Sequence, residues 1–201
     1  MTTYYKATRP DGTDFRTGTF DYAATLASGE VIHHPFEEMV PNDPSTYLSV
    51  SVEPADCTGF GWPCRLFRVE PMGVVLDGLK VSPHKRACHA LRVVEELPAH
   101  MALGPNGEAV AAFIDRCRTL TPEQTARLAA AWDDDGWTAA WVAAWAAAWY
   151  AARAAGLAAA WDAAIVAVAG AAAIAILVRD LITPEQYDIL VKPFRDVGLE
   201  E

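Results

Sequence analysis

From Trp137 onward the chain places a large side chain at every fourth residue: Trp137, Trp141, Trp145 and Trp149, then Arg153, Leu157, Trp161 and Ile165. Alanine pairs fill the gaps at 139–140, 143–144, 147–148, 151–152, 159–160 and 163–164. Alanine has the highest intrinsic helix propensity, and only Gly156 and Gly170 interrupt the run. The pattern predicts one helix over 137–182, roughly 69 Å long at about 1.5 Å per residue. A repeat of four does not match the helical period of about 3.6, so the large-residue stripe drifts by about 40° per repeat. No flat face is then the apolar one. A helix apolar all round needs a bundle, an oligomer or a bilayer to cover it.

The alanine pairs favour helix partners, because small side chains let helix axes approach closely. The expected interface therefore consists of Trp137, Trp141, Trp145, Trp149, Leu157, Trp161 and Ile165, contacting a second copy or another protein. A membrane is the alternative cover. Residues 154–178 form a 25-residue stretch whose single charge is Asp162, and a span needs about 20 residues. Alanine is only weakly apolar, however, and an aspartate at mid-span costs about 2.5–3.5 kcal/mol.

Charge narrows the partners. The chain carries 16 basic and 26 acidic residues, a net −10. Both halves are acidic, with 11 against 15 over 1–120 and 5 against 11 over 121–201. A phosphate backbone is repelled by both, which disfavours nucleic acid as a partner. Lys80, Lys85, Arg86 and Arg92 form the one local basic run, read as a solvated face, with anion binding as the alternative. The tryptophan stripe is likewise read as packing and not as a base-stacking ladder.

The opening residues Met1 to Lys6 lack the pattern of a secretory signal, so the expected setting is cytoplasmic, with all four cysteines reduced. Cys57, Cys64, Cys88 and His89 are the candidate ligands for a tetrahedral zinc. The tight Cys-x2-Cys knuckles of zinc modules are absent, and buried cysteines packing as small hydrophobes are preferred. No metal or other cofactor is expected. His33-His34 beside Glu37 and Glu38 is read as an exposed loop. No nucleophile elbow, phosphate loop or metalloprotease motif is present.

The rest of the chain reads as an α+β protein. A β-rich domain over 1–100 is followed by a helical region over 101–201, dominated by the long Ala/Trp helix. Strands are expected over 3–8, 47–52, 65–70 (ended by Pro71), 73–76 and 89–95, with a returning strand at Phe15–Thr19. A short helix from Tyr22 to Ala27 stops at Ser28-Gly29, and 31–45, with three prolines, reads as a long loop. The other helices are placed at about 107–118, 122–132 and 184–191. The first shows an amphipathic stripe of Ala109, Val110, Phe113, Ile114 and Cys117. Thr121-Pro-Glu-Gln124 recurs as Thr183-Pro-Glu-Gln186, and both read as N-caps with a capping box.

Three segments carry a resemblance: Tyr5-Lys-Ala-Thr-Arg-Pro-Asp-Gly12, Trp62-Pro-Cys-Arg-Leu-Phe67, and the tetrad helix running into Val178-Arg-Asp-Leu-Ile182. Over nearly its whole length the chain resembles uncharacterised proteins of actinobacteria and their bacteriophages. The resemblance implies a host or phage cytoplasm and brings no activity with it. The N-terminal domain also resembles ADP-ribosyltransferases, on the order of Arg9, Ser49-Val50-Ser51 and Glu95 or Glu96. That likeness implies that Arg9 holds the pyrophosphate of NAD, Ser49 and Ser51 shape a nicotinamide pocket, and Glu95 or Glu96 stabilises an oxocarbenium-like centre. Val50 stands where that family has threonine, and its Glu/Gln-x-Glu signature is missing. The leading expectation is thus a non-enzymatic assembly protein. An NAD-using transferase and a membrane-anchored protein are the alternatives.

Overall fold

The computed structural model describes residues 2–57, 61–80, 84–135, 138–157, 160–161 and 170–199, and of 131–135 the backbone only. The protein is α+β and divides into two compact units, Met1–Ala102 and Leu103–Glu201.

The first unit contains β1 (Tyr4–Thr8), α1 (Tyr22–Ser28), β2 (Val31–His33), β3 (Leu48–Ser51), β4 (Arg65–Leu76) and β5 (Lys85–Leu97). Every pairing is antiparallel. β1 lies between β3 and β4, while β5 pairs with β4 on one edge and with β3 and β2 on the other. The ring β1–β4–β5–β3 closes like a small barrel, which removes most free edges. Period-two alternation turns Leu48 and Val50, Phe67 and Val69, and Leu91 and Val93 into one core. Phe67 and Leu91 are fully buried, each contributing about 1.5–3 kcal/mol. Asp21 caps α1 by accepting from the Ala24 N–H at 2.8 Å. That helix brings Tyr22 into the core, stacked on Phe67 at 6.4 Å.

Three local expectations are corrected. Phe15–Thr19 is not a strand. The Asp14 carboxylate accepts from the N–H groups of Arg16, Thr17, Thr19 and Phe20 at 2.7–3.1 Å, wrapping the segment into a loop. Gly18 sits at φ 70°, where an added Cβ would lie 2.7 Å from Arg9 Nη1. Residues 31–33, placed in a loop, are β2. Pro71 does not end β4, which runs on to Leu76. Beyond Val69 that strand is paired with β5 alone, and a proline is tolerated on such an edge.

The second unit is helical: α2 (Gly107–Arg118), α3 (Pro122–Asp135), α4 (Ala139–Ala154), α5 (Gly170–Leu177) and α6 (Pro184–Arg195). α2 buries Val110, Phe113, Ile114 and Cys117, with Phe113 edge-on to Phe194 at 5.5 Å. Thr183 and Gln186 form a reciprocal capping box at the start of α6. α5 is buried from Ala171 to Leu177, the expected position for a helix with no polar face.

The continuous helix over 137–182 is the main correction, because the longest helix among the described residues is α4, with 16 residues. α4 begins at an N-cap, Thr138, whose hydroxyl accepts from the Trp141 N–H at 3.2 Å. It stops at a Schellman motif. Gly156 adopts φ 73°, its N–H donates to Arg153 O at 3.2 Å, and the Leu157 N–H donates to Ala152 O at 2.8 Å. Helix propensity summed over the alanines loses to one glycine in the left-handed region. No helix among the described residues is long and apolar enough to cross a membrane. Within 154–178, residues 170–177 are a buried interior helix, while 158–159 and 162–169 lie outside the described residues.

Candidate functional site

The side of the barrel where β1, β3 and β5 meet opens into a cavity of about 470 Å³. Register builds it. Tyr5 of β1 faces Ser51 of β3, which faces Lys85 at the start of β5. Lys6, Ala7 and Ser49 complete the strand wall. The Asp14 loop adds Asp14, Phe15 and Arg16, while Pro44, Tyr47, Cys57 and Leu79 close the remaining sides. The result is an apolar, partly aromatic hollow with a few convergent polar groups, the usual make-up of a small-molecule site.

Three cations line this cavity in a chain of net −10. Lys6 Nζ donates to Ser49 O at 3.0 Å and to Ser49 Oγ at 3.3 Å, and lies 5.5 Å from the centre of the Tyr22 ring. Burial, and next the positive charge of Lys85, push the Lys6 amine down to about 8. Burial also lowers Lys85, with Cys57 and Asp56 opposing. Among the described residues the one carboxylate on the wall is Asp14. Burial pushes its pKa up, but the Thr17 and Phe20 N–H groups and the Thr17 hydroxyl outweigh that and hold it below the usual range. Its oxygens already accept several hydrogen bonds, so it stays ionised as a loop organiser. Ser51 Oγ donates to Asp56 O at 3.3 Å. Burial pushes the Cys57 thiol up to about 11, which makes it a poor nucleophile.

Of the residues expected to handle NAD, Ser49 and Ser51 line the cavity and the others do not. Arg9 donates to Phe15 O at 2.9 Å, holding the loop from behind. Glu96 is bound bidentately by Arg65 at 2.8 and 2.7 Å, and Glu95 pairs with Arg68. They follow Lys85 by ten and eleven positions, a strand path of roughly 33 Å or more. The structure does not bring the arginine, serine and glutamate roles together.

The zinc candidates also separate. Cys57 and Cys64 share one core with Ala7, Leu66 and Ala102, whereas Cys88 belongs to the Tyr22 core. His89 meets Phe36 O at 2.6 Å through Nε2. Among the described residues no group of three or more His, Cys, Asp or Glu side chains is placed to hold a metal. Of the neighbouring histidines, His34 is buried against the rings of Phe20 and Phe36, while Glu37 and Glu38 are exposed. The basic run divides as well: Lys85 lines the cavity, and Arg86 pairs with Asp77 at 2.8 Å.

In the helical unit the tryptophans meet one another. Trp141 and Trp145 stack at 5.3 Å, and Trp161 sits edge-on to Trp145 at 5.2 Å and to Trp149 at 5.1 Å. Trp141, Leu157 and Trp161 are buried within the chain, so these members of the expected interface are spent on internal packing. Trp137 and Ile165 lie outside the described residues.

Comparison of the chain with protein-family models, with curated proteins and with solved structures finds no match. The polar cavity residues to which sequence reasoning gave no site role are Tyr5, Lys6, Asp14, Arg16 and Tyr47, while Lys85 was singled out as part of the basic run. A signal for Lys6 was present: it is the one charged residue of a strand otherwise made of tyrosine, alanine and threonine.

Proposed function

We propose that the N-terminal unit is a receptor for a small organic anion, a carboxylate or phosphate compound with an apolar body, held in the cavity between β1, β3 and β5. The observation that carries this is the charge balance of the wall. Lys6, Arg16 and Lys85 line a cavity whose one carboxylate among the described residues, Asp14, is already hydrogen-bonded to its own loop. An anion entering there gains three positive neighbours, of which Lys6 and Lys85 are half-buried, where charge pairing is stronger than at the surface, and Arg16 is exposed. Tyr5, Phe15 and Tyr47 supply apolar contact. The volume falls within the roughly 300–1,000 Å³ of small-ligand sites. NAD, expected from the transferase likeness, is one member of this chemical class. Without a carboxylate placed for ribosyl transfer, the reading is binding and not transfer.

Isothermal titration with a panel of aromatic carboxylates, sugar phosphates and NAD tests it. Binding that weakens with salt and at least about tenfold in Lys85→Gln and in Arg16→Gln supports the receptor. A panel with no binder, or binding indifferent to both substitutions, overturns it.

Assembly through the helical unit is a second reading, now carried by the outer face of α4. Val142 is 49% exposed and Tyr150 71% exposed, on a surface otherwise made largely of alanine. Light scattering on a sizing column tests it: a discrete oligomer lost in Tyr150→Glu supports it, and a monomer removes it.

A further inference from the structure

We propose that Lys6 captures small carbonyl compounds bearing an acidic group, such as 2-oxo acids and aldehyde acids, as an imine inside the N-terminal cavity. This rests on the anion-receptor reading and adds a covalent step to it.

Geometry singles out this amine. Lys6 Nζ makes two donations, both to Ser49, one to its main-chain oxygen and one to its hydroxyl. A neutral amine has two hydrogens and one lone pair. With both hydrogens held by the β3 strand, the lone pair is the valence left for an electrophile. The stem emerges from β1, whose backbone is held along its length by β4 and at Tyr5 by β3. The amine is therefore presented from a rigid wall and not from a flexible surface arm. Its depressed proton affinity, down to about 8, leaves on the order of one molecule in ten neutral at pH 7, against less than one in a thousand for an ordinary lysine.

The rest of the wall suits the other half of the substrate. Arg16 lines the same cavity, and a guanidinium can hold a carboxylate through two parallel hydrogen bonds. Lys85 is near enough for its charge to lower Lys6 further, and supplies an ammonium proton. In the first step the Nζ lone pair forms a bond to the carbonyl carbon while the C=O π bond breaks, and the oxygen takes a proton. The nitrogen then loses one proton, the hydroxyl leaves as water after a second protonation, C=N forms as an iminium, and loss of the remaining nitrogen proton gives the imine, with both donations to Ser49 given up. Amine plus carbonyl gives imine plus water, with no oxidant or reductant.

The test treats the full chain with glyoxylate and cyanoborohydride, which reduces the imine to a stable secondary amine, and maps the adduct by peptide mass spectrometry. The chain has four lysines, of which Lys80 and Lys192 are exposed and serve as internal references. The expected result is labelling at Lys6 at least about tenfold faster than at Lys80 or Lys192. Propionaldehyde, which lacks the acid, should lose that preference. Lys6→Arg, which keeps the charge, should abolish the fast adduct. Comparable labelling at all lysines, or labelling of Lys85 in place of Lys6, overturns the proposal. Benzoate, an acid with an apolar body that cannot form an imine, separates the two readings by calorimetry. If benzoate binds and Lys6 is not preferentially labelled, imine capture is wrong and the receptor stands. If benzoate does not bind and Lys6 is not labelled, both fail.

Discussion

Lys6 on β1 grips Ser49 on β3 twice, at 3.0 Å through the main-chain oxygen and at 3.3 Å through the hydroxyl, although only Tyr5↔Ser51 joins these two strands in register. The side chain thus ties together the part of the barrel wall where the backbone ladder is thinnest. It does so with an amine whose folded pKa is about 8 against 10.5 for an ordinary lysine. Between those values the unfolded chain binds more protons than the folded one. The charge penalty from Lys6 is fully present below pH 8 and is relieved as pH climbs toward 10.5. Lys6→Met should therefore melt about 2–4 °C above the parent near neutral pH, with the gap closing across that window. Thermal melts of both proteins at matched pH check this, and a gap that widens with pH would contradict the assignment.

Glu96→Gln should leave ligand binding in the cavity unchanged and cost about 0.2–1 kcal/mol of stability. Both partners of the Arg65–Glu96 pair are about one-third exposed, so solvent screens most of the interaction. The Arg65 hydrogen bonds hold the Glu96 carboxyl below its usual value. Its stabilisation is therefore present at neutral pH and is lost as pH falls through that lowered pKa. Urea titrations at two pH values measure the effect. A large loss of cavity binding would instead restore this glutamate to a functional role.

The thiols should behave as interior groups. Burial pushes Cys57 up to about 11, and Cys64 and Cys88 up to about 12, from 9.0. An aromatic disulfide reagent at pH about 8 should label these three at least about a thousandfold more slowly in the native protein than in urea. The unfolded thiols ionise first, so they lower stability above pH 9, opposite in sign to Lys6. Fast native labelling of Cys57 would show that the cavity floor opens.

Gly156→Ala should destabilise by about 1–2 kcal/mol, because φ 73° penalises a Cβ. Among the described residues nothing lies within 4 Å of the added carbon, so the cost is backbone strain. Chemical denaturation checks the size. A stabilised variant would mean that the chain prefers to continue the helix.

The α+β class was legible because its signals are local. Period-two alternation at Leu48–Ser51, the stripe of α2 and the Thr-Pro-Glu-Gln caps depend on neighbours a few residues apart. The cavity was not, because it is made by register. Lys6, Ser49 and Lys85 become neighbours only once β1, β3 and β5 have paired, and nothing in their own segments announces that. Asp14 was hidden for a related reason: a carboxylate collecting four main-chain N–H groups turns residues of good strand propensity into a loop. The tetrad repeat misled in the other direction. Its helical signal was strong enough to mask Gly156, whose left-handed conformation stops the helix despite the alanines around it.

The stop at Gly156 also constrains how this sequence can change over generations. Tandem repeats are prone to gaining or losing whole units, and one extra tetrad inserted within α4 would lengthen that helix by about 6 Å and rotate its end by about 40°. Trp161 returns at a fixed distance from the end of α4, so an added tetrad would leave it against the last two tryptophans before the turn and displace the surplus unit toward the start of the helix. The repeat is expandable at its N-terminal side alone, and the turn at Gly156 decides which of its tryptophans are used.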